Sequence, residues 1–234
     1  MNIVITGASR GIGYYTALRM ASMEGNKIYA ISRNKAGLEE LSSRANLNKP
    51  QHALHFLPFD LTAGRIETGL VPDILKVMPA IDILINNAGE LINKPFLELE
   101  EQDYNRIFDV NIKSVILLIR ALAPYFNRGG HIVNIGSMGG FQGSSKFKGL
   151  SLYSASKAAL ACLSECLAVE FMERGIRVNC LALGASDTEM FRDAFPGHLA
   201  PVSAGEMAAF ISDFALHGHK TFNGKILPVS ISSP

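Results

Sequence analysis

The sequence predicts an α/β fold: one domain built on a doubly wound parallel sheet of about seven strands flanked by helices. Three observations predict it. Short β-rich runs alternate with longer helix-like segments along the whole chain. The runs "IDILIN" and "HIVNIG" are apolar with little alternation, the mark of strands covered on both faces. No Pro/Gly/Ser-rich linker divides the 234 residues, and no internal repeat interrupts them, so residues 1–234 are expected to form a single domain.

The elements follow in order. Strands are expected at Asn2–Thr6, Lys27–Ser32, residues 52–56, Ile81–Asn86, residues 130–135, residues 177–182 and Ile226–Val229. Helices are expected at residues 11–24, Lys35–Ala45, residues 65–77, 100–126, 151–173 and 204–215, with a short one at 188–194. Residues 136–150 form a Gly/Ser-rich loop carrying Lys146 and Lys148, long enough to cover a site.

Composition excludes several functions. Lys plus Arg number 22 and Asp plus Glu 21, a balance that argues against a nucleic-acid partner. The apolar runs read as too short and interrupted to span a bilayer, and "NIVITG" follows Met1 directly, so neither membrane insertion nor a signal peptide is expected. The three Cys match no metal pattern. Cys162 and Cys166 read as buried thiols on a helix, and a reducing cytoplasm fits. His217 and His219 lack a nearby carboxylate or Cys, so no metal site is expected.

The first strand runs into "TGASRGIG" (residues 6–13), which opens the first helix. Glycines there allow positive φ and close backbone approach, and the helix N-terminus offers free N–H groups to a phosphate. The order strand, glycine turn, helix predicts dinucleotide binding, although the first glycine gap is one residue wider than the usual fingerprint. The second strand ends on Ser32 and Arg33, without the carboxylate that selects NAD. Arg33 and Arg10 suit a ribose 2′-phosphate through bidentate, charge-assisted bonds. The expected cofactor is therefore NADP(H), with NAD(H) also admissible.

"SLYSASKAAL" places Tyr153 and Lys157 four residues apart on one helix face. A nearby ammonium favours a phenolate, which predicts a lowered Tyr153 pKa suited to acid/base work. A serine hydroxyl can then share a developing oxyanion with the phenol.

Taken together, "TGASRGIG", "NNAG" (86–89), Asn111, "IVNIGS" (132–137), "YSASK" (153–157), "RVNCLALG" (177–184) and "FNGKILPV" (222–229) resemble the classical short-chain dehydrogenase/reductase family over nearly the whole chain. The resemblance implies a Rossmann-type domain and residue roles. Gly7, Ser9, Gly11, Ile12 and Gly13 would shape the pyrophosphate turn. Asp60 and Leu61 would hold adenine, and Asn87, Ala88 and Gly89 would line the adenosine side. Tyr153 would be the acid/base, Lys157 would hold the nicotinamide ribose, Ser137 would polarise the carbonyl, and Asn111 would hold a relay water. Gly184 and Thr188 would contact the nicotinamide half. The implied activity is NADPH-dependent reduction of a ketone or aldehyde. A 3-oxoacyl thioester reductase and a non-catalytic NADP-binding regulator are the alternatives. For the thioester, Lys146, Lys148 and Arg192 would be the docking charges.

The sequence departs from the family in three places. Ser137 lies sixteen residues before Tyr153, farther than is common there. Leu183 stands where a proline is usual before Gly184. The substrate segment near residues 184–203 is short, which predicts an open pocket. The apolar runs at residues 114–123 and 158–168 resemble the family's helical interface and predict a homodimer or homotetramer.

Overall fold

A computed structural model describes residues 1–47 and 54–231. Its main sheet takes β1 (Asn2–Thr6), β2 (Lys27–Ser32), β3 (Leu54–Pro58), β4 (Ile81–Asn86), β5 (Phe126–Ile135), β6 (Arg177–Leu183) and β9 (Ile226–Val229). They lie in the order β3-β2-β1-β4-β5-β6-β9, and every neighbouring pair is parallel. The expected third strand shifts to begin at Leu54; His52 and Ala53 lie outside the described residues.

Why the strands lack polar alternation is visible in β1. Ile3 and Ile5 face one apolar layer with Ala17, Met20 and Ile211. Val4 faces the other with Leu84, Leu118 and Leu160. Both faces are dry, so both need apolar side chains. The helices that supply these layers are α1 (Gly11–Ser22), α2 (Lys35–Ala45), α3 (Val71–Val77), α4 (Glu101–Phe108), α5 (Ser114–Leu122), α6 (Ser151–Glu170), α7 (Glu189–Ala194) and α8 (Ala204–His217). A two-stranded parallel ribbon pairs β7 (Ser186–Asp187) with β8 (Val202–Ser203) and closes the base of the α7 segment.

The helix expected over residues 100–126 is broken. A π-helical turn at Asp109–Lys113 separates α4 from α5, a 3₁₀ turn at Ala123–Tyr125 contains Pro124, and Phe126 already belongs to β5. Proline removes the donor that would continue the helix. Periodic apolar spacing cannot show a single inserted residue, which is what a π turn adds. The expected helix at 65–77 likewise begins as a π turn, Ile66–Leu70.

Two further expectations are corrected. Cys162 and Cys166 are exposed, and only Cys180 is buried. The inward face of α6 is Lys157, Leu160, Ala161, Ser164 and Ala168, which turns positions 162 and 166 outward. By length and composition α6 could also cross a membrane, with a mean hydropathy of 1.2 over its most apolar window. Here it packs on the sheet and carries buried Lys157 on its inner face.

From β1 the chain winds outward through β2 and β3, then crosses to β4 on the other side of β1. That reversal opens a crevice at the carboxyl ends of β1 and β4, where ligands bind in open α/β sheets.

Candidate active site

A cleft of about 550 Å³ lies over this crevice, running from Asp60 and Arg33 at one end to Phe147 and Phe195 at the other. The glycine turn forms its floor. Gly7 has φ +68°, and a Cβ there would sit 2.8 Å from the Ala88 Cα. A Cβ on Gly13 would sit 2.3 Å from Asn87 Nδ2. Only glycine lets the turn approach β4 this closely. Asn87 locks it: its side-chain amide donates to the carbonyls of Thr6 and Gly7, both at 3.1 Å. The backbone N–H groups of Asn87 and Ala88 both donate to Thr6 Oγ1, at 3.1 and 3.0 Å. Ile12 and Gly11 open α1 beside this turn. Thr188 lies across from it, its methyl 3.4 Å from where a Gly11 Cβ would be, while its hydroxyl caps α7 by accepting from Phe191 N at 3.2 Å.

The end of the cleft beyond the glycine turn carries Arg10, Arg33, Asp60 and Leu61. Ser32 and Ser9 share a hydrogen bond of 2.8 Å. Asp60 accepts from the backbone and hydroxyl of Thr62, which hold its carboxyl below the usual range. Arg33 does not stand alone. Its guanidinium lies 3.6 Å from Glu90, whose other oxygen takes Arg106 at 2.5 Å.

At the centre are Tyr153, Lys157 and Ser137. The Lys157 ammonium donates to the Ile135 carbonyl at 2.8 Å and lies 5.8 Å from the Tyr153 ring centroid. Burial brings Lys157 down to about 8, partly opposed by the Cys180 thiol. Burial also pushes the Tyr153 phenol above its ordinary value, and a hydrogen bond with Ser137 pulls the other way. The lowered phenol expected from spacing is thus overturned in this structure. Desolvation by the cleft walls outweighs the charge-stabilising contact, and the ammonium's one hydrogen bond goes to a backbone carbonyl.

Ser137 lies two residues beyond β5 and caps a 3₁₀ turn at Met138–Gly140, its hydroxyl accepting from Gly139 N at 3.1 Å. Ser144 also lines the cleft but is engaged elsewhere: its hydroxyl is shared between the carbonyls of Met138 and Phe141 and accepts from Lys146. Ser151 does not cap α6; Leu150 holds that position.

Asn111 sits fully buried in the π turn. Its amide donates to the Glu90 carbonyl and to Ser156 Oγ, both at 2.9 Å, and its oxygen accepts from Glu90 N at 2.8 Å. Both amide protons are therefore committed to protein acceptors, and the side chain acts as a brace. Gly89 fits between: a Cβ there would be 3.4 Å from Lys157 Nζ and 3.5 Å from Asn111 Oδ1. Gly184 has an analogous steric reason, since a Cβ would meet Ser230 Oγ at 2.5 Å.

Several residues were missed by sequence reasoning. Ser156 links Asn111 to the Tyr153 carbonyl, to which it donates at 2.8 Å. Asn86, Asn134 and Ser164 form a buried ladder across β4, β5 and α6, with links of 2.8 and 2.9 Å. The "YSASK" spacing places Ser156 next to Lys157, but nothing in it signals a partner 45 residues away.

The model of the short chain dehydrogenase family matches residues 1–198. The chain belongs to the short-chain dehydrogenase/reductase family. Among its relatives, the dehydrogenase/reductase SDR family member 6 of Rattus norvegicus is 33% identical over 215 residues, covering 90% of this chain and 80% of the relative. A cyclopentanol dehydrogenase of Comamonas sp. is 33% identical over 192 residues, covering 80% and 74%. A short chain dehydrogenase from Burkholderia cenocepacia in complex with NADP superposes with a TM-score of 0.86 at 26% identity, covering 97% of this chain and 95% of that one. A Brucella melitensis 3-ketoacyl-(acyl-carrier-protein) reductase complexed with NADH gives 0.84 at 28%, covering 97% and 96%. The protein is thus an NAD(P)-dependent dehydrogenase/reductase.

Proposed function

We propose that the protein is an NADPH-dependent reductase that converts a ketone or aldehyde to an alcohol, reversibly, with Tyr153 as acid/base. The observation that carries this reading is the convergence of Tyr153, its hydrogen-bonded Ser137 and buried Lys157 on one cleft with the glycine turn. The turn fits a dinucleotide: glycines at 7 and 13 let it pack tightly against Asn87 and Ala88, and the α1 N-terminus opens beside the cleft.

The bound nicotinamide supplies the hydride in the reducing direction. Ser137 orients the substrate carbonyl and donates to its oxygen as negative charge develops. Tyr153 protonates that oxygen, and its phenolate recovers a proton from solvent. Carbonyl, NADPH and one proton thereby give alcohol and NADP⁺. Burial keeps the phenol protonated at neutral pH, as a donor must be, and makes it a weaker acid. Lys157 holds the nicotinamide ribose, and its positive charge favours the phenolate once the proton has left. Asn111, through Ser156, fixes the first turn of α6 and so the position of Tyr153. Arg10 and Arg33 support a preference for NADPH over NADH, since no carboxylate ends β2.

One domain, residues 1–234, carries both sites, with residues 184–203 forming the substrate segment. The outward face of α6, with exposed Cys162, Cys166 and Val169, supports a homodimer or homotetramer. The free thiols support a cytoplasmic setting. The test is oxidation of NADPH and NADH against a panel of diketones, quinones, aldehydes and acetoacetyl thioesters. Tight NADPH binding without turnover of any of them would instead make the protein a cofactor-binding regulator.

A further inference from the structure

The substrate end of the cleft has a composition of its own. Beyond Ser137 and Tyr153 its walls are Met138, Phe147, Met190, Phe191, Phe195 and Leu199. Phe195 is the hub of an aromatic group: its ring centre lies 5.3 Å from Phe191, and 6.2 Å from both Phe147 and His198, in edge-on contact with the last two. Phe147 comes from the lengthened loop between Ser137 and Tyr153, and Phe195 from the end of the α7 segment. The loop's extra residues thus meet the substrate segment through a ring contact, and Phe147 remains 59% exposed at the mouth.

Of the three cations that could anchor an acidic substrate, Lys146 and Arg192 are engaged elsewhere, and Lys148 does not line the cleft. Lys146 donates to the Phe141 carbonyl and to Ser144 Oγ, both at 2.7 Å. Arg192 is paired with Asp187 at 2.6 Å. The Lys157 ammonium is committed to Ile135 and stands on the cofactor side of Tyr153. A carboxylate or phosphate at this end would be desolvated without a partner, which is strongly unfavourable, whereas an apolar body gains by burial.

We propose that the substrate is an uncharged carbonyl compound with an aromatic or alicyclic body, seated against the Phe147–Phe195 pair. The proposal rests on the reductase reading above and narrows it. It excludes 2-oxo acids and carrier-bound acyl thioesters as preferred substrates.

The experiment measures NADPH- and NADH-dependent reduction of acetophenone and cyclohexanone against benzoylformate and acetoacetyl-coenzyme A, with NADPH binding followed separately by fluorescence. The neutral ring ketones should show the higher kcat/KM, by about tenfold or more. Phe147→Ala and Phe195→Ala should each raise KM for the ring ketones by about tenfold while NADPH binding is unchanged. Higher kcat/KM for benzoylformate or acetoacetyl-coenzyme A would overturn this inference and leave the reductase reading standing. NADPH binding without reduction of any of the four would overturn both. Unchanged KM in both phenylalanine variants would overturn the placement of the substrate.

Discussion

Asn111 Nδ2 donates to Ser156 Oγ at 2.9 Å, joining the π turn between α4 and α5 to the first turn of α6. Ser156 passes the link on to the Tyr153 carbonyl. Both side chains are fully buried, so neither polar group has water as an alternative partner. Ser156→Ala should therefore leave one amide proton of Asn111 without an acceptor and lower stability by about 1–3 kcal/mol. It should also reduce kcat while leaving cofactor affinity near normal. Thermal unfolding and steady-state kinetics read the two effects, and an unchanged melting temperature would show the link to be dispensable.

Lys157 is charged and buried, a combination that lowers stability in favour of function. Its folded value of about 8 lies below the ordinary 10.5. The folded state thus binds fewer protons between those values, and the lysine's burden on stability is full below pH 8 and relieved as pH rises toward 10.5. Lys157→Met should remove a burden of about 3 kcal/mol at pH 7 and lose one hydrogen bond of about 1 kcal/mol. The melting temperature should rise by about 4–8 °C while activity collapses. A lower melting temperature would contradict the balance.

Arg33 tests the cofactor preference. Its removal takes away one charge-assisted contact, on the order of 1.5–3 kcal/mol. Arg33→Ala should raise KM for NADPH about tenfold or more and leave that for NADH nearly unchanged. Because Glu90 neutralises Arg33 in the free protein, Glu90→Gln should tighten NADPH and not NADH. Equal use of both cofactors by the unmutated protein would defeat the NADPH reading.

His131 reports on acid stability. It is buried at β5, its Nδ1–H donating to the Ala215 carbonyl at 2.9 Å and its Nε2 accepting from Asn179 at 3.0 Å. Burial brings it from 6.5 to about 4. The unfolded state binds the extra proton between those values, so the stabilisation is complete above pH 6.5 and is lost as pH falls to 4. Between pH 7 and 4.5 the loss should be about 2–3 kcal/mol. Urea unfolding of the wild type and His131→Gln at both pH values measures it, and identical pH slopes would refute it.

The glycine turn, the strands of the parallel sheet and the Tyr–Lys face were legible because each is local: a glycine cluster, an apolar run, a spacing of four. What the sequence hid depends on packing between distant segments. A π turn shifts the helical phase by one residue at Asn111, and the 3.6 pattern on either side conceals it. The outward turn of Cys162 and Cys166 is set by which face of α6 meets the sheet, and an apolar helix offers more than one. The Tyr153 phenol goes up and not down because burial competes with charge, and spacing alone conveys neither depth nor distance. Glu90 sits next to "NNAG", yet its two arginine partners come from β2's end and from α4.

The most direct test of the account is Tyr153→Phe, assayed for reduction of a ring ketone at saturating NADPH and, separately, for NADPH binding. The substitution removes one hydroxyl and keeps the ring, so the fold and cofactor affinity should persist. The rate constant should fall by about 10²–10⁴-fold, the usual contribution of general acid catalysis. A variant that keeps more than about a tenth of the wild-type rate would contradict Tyr153 as the proton donor.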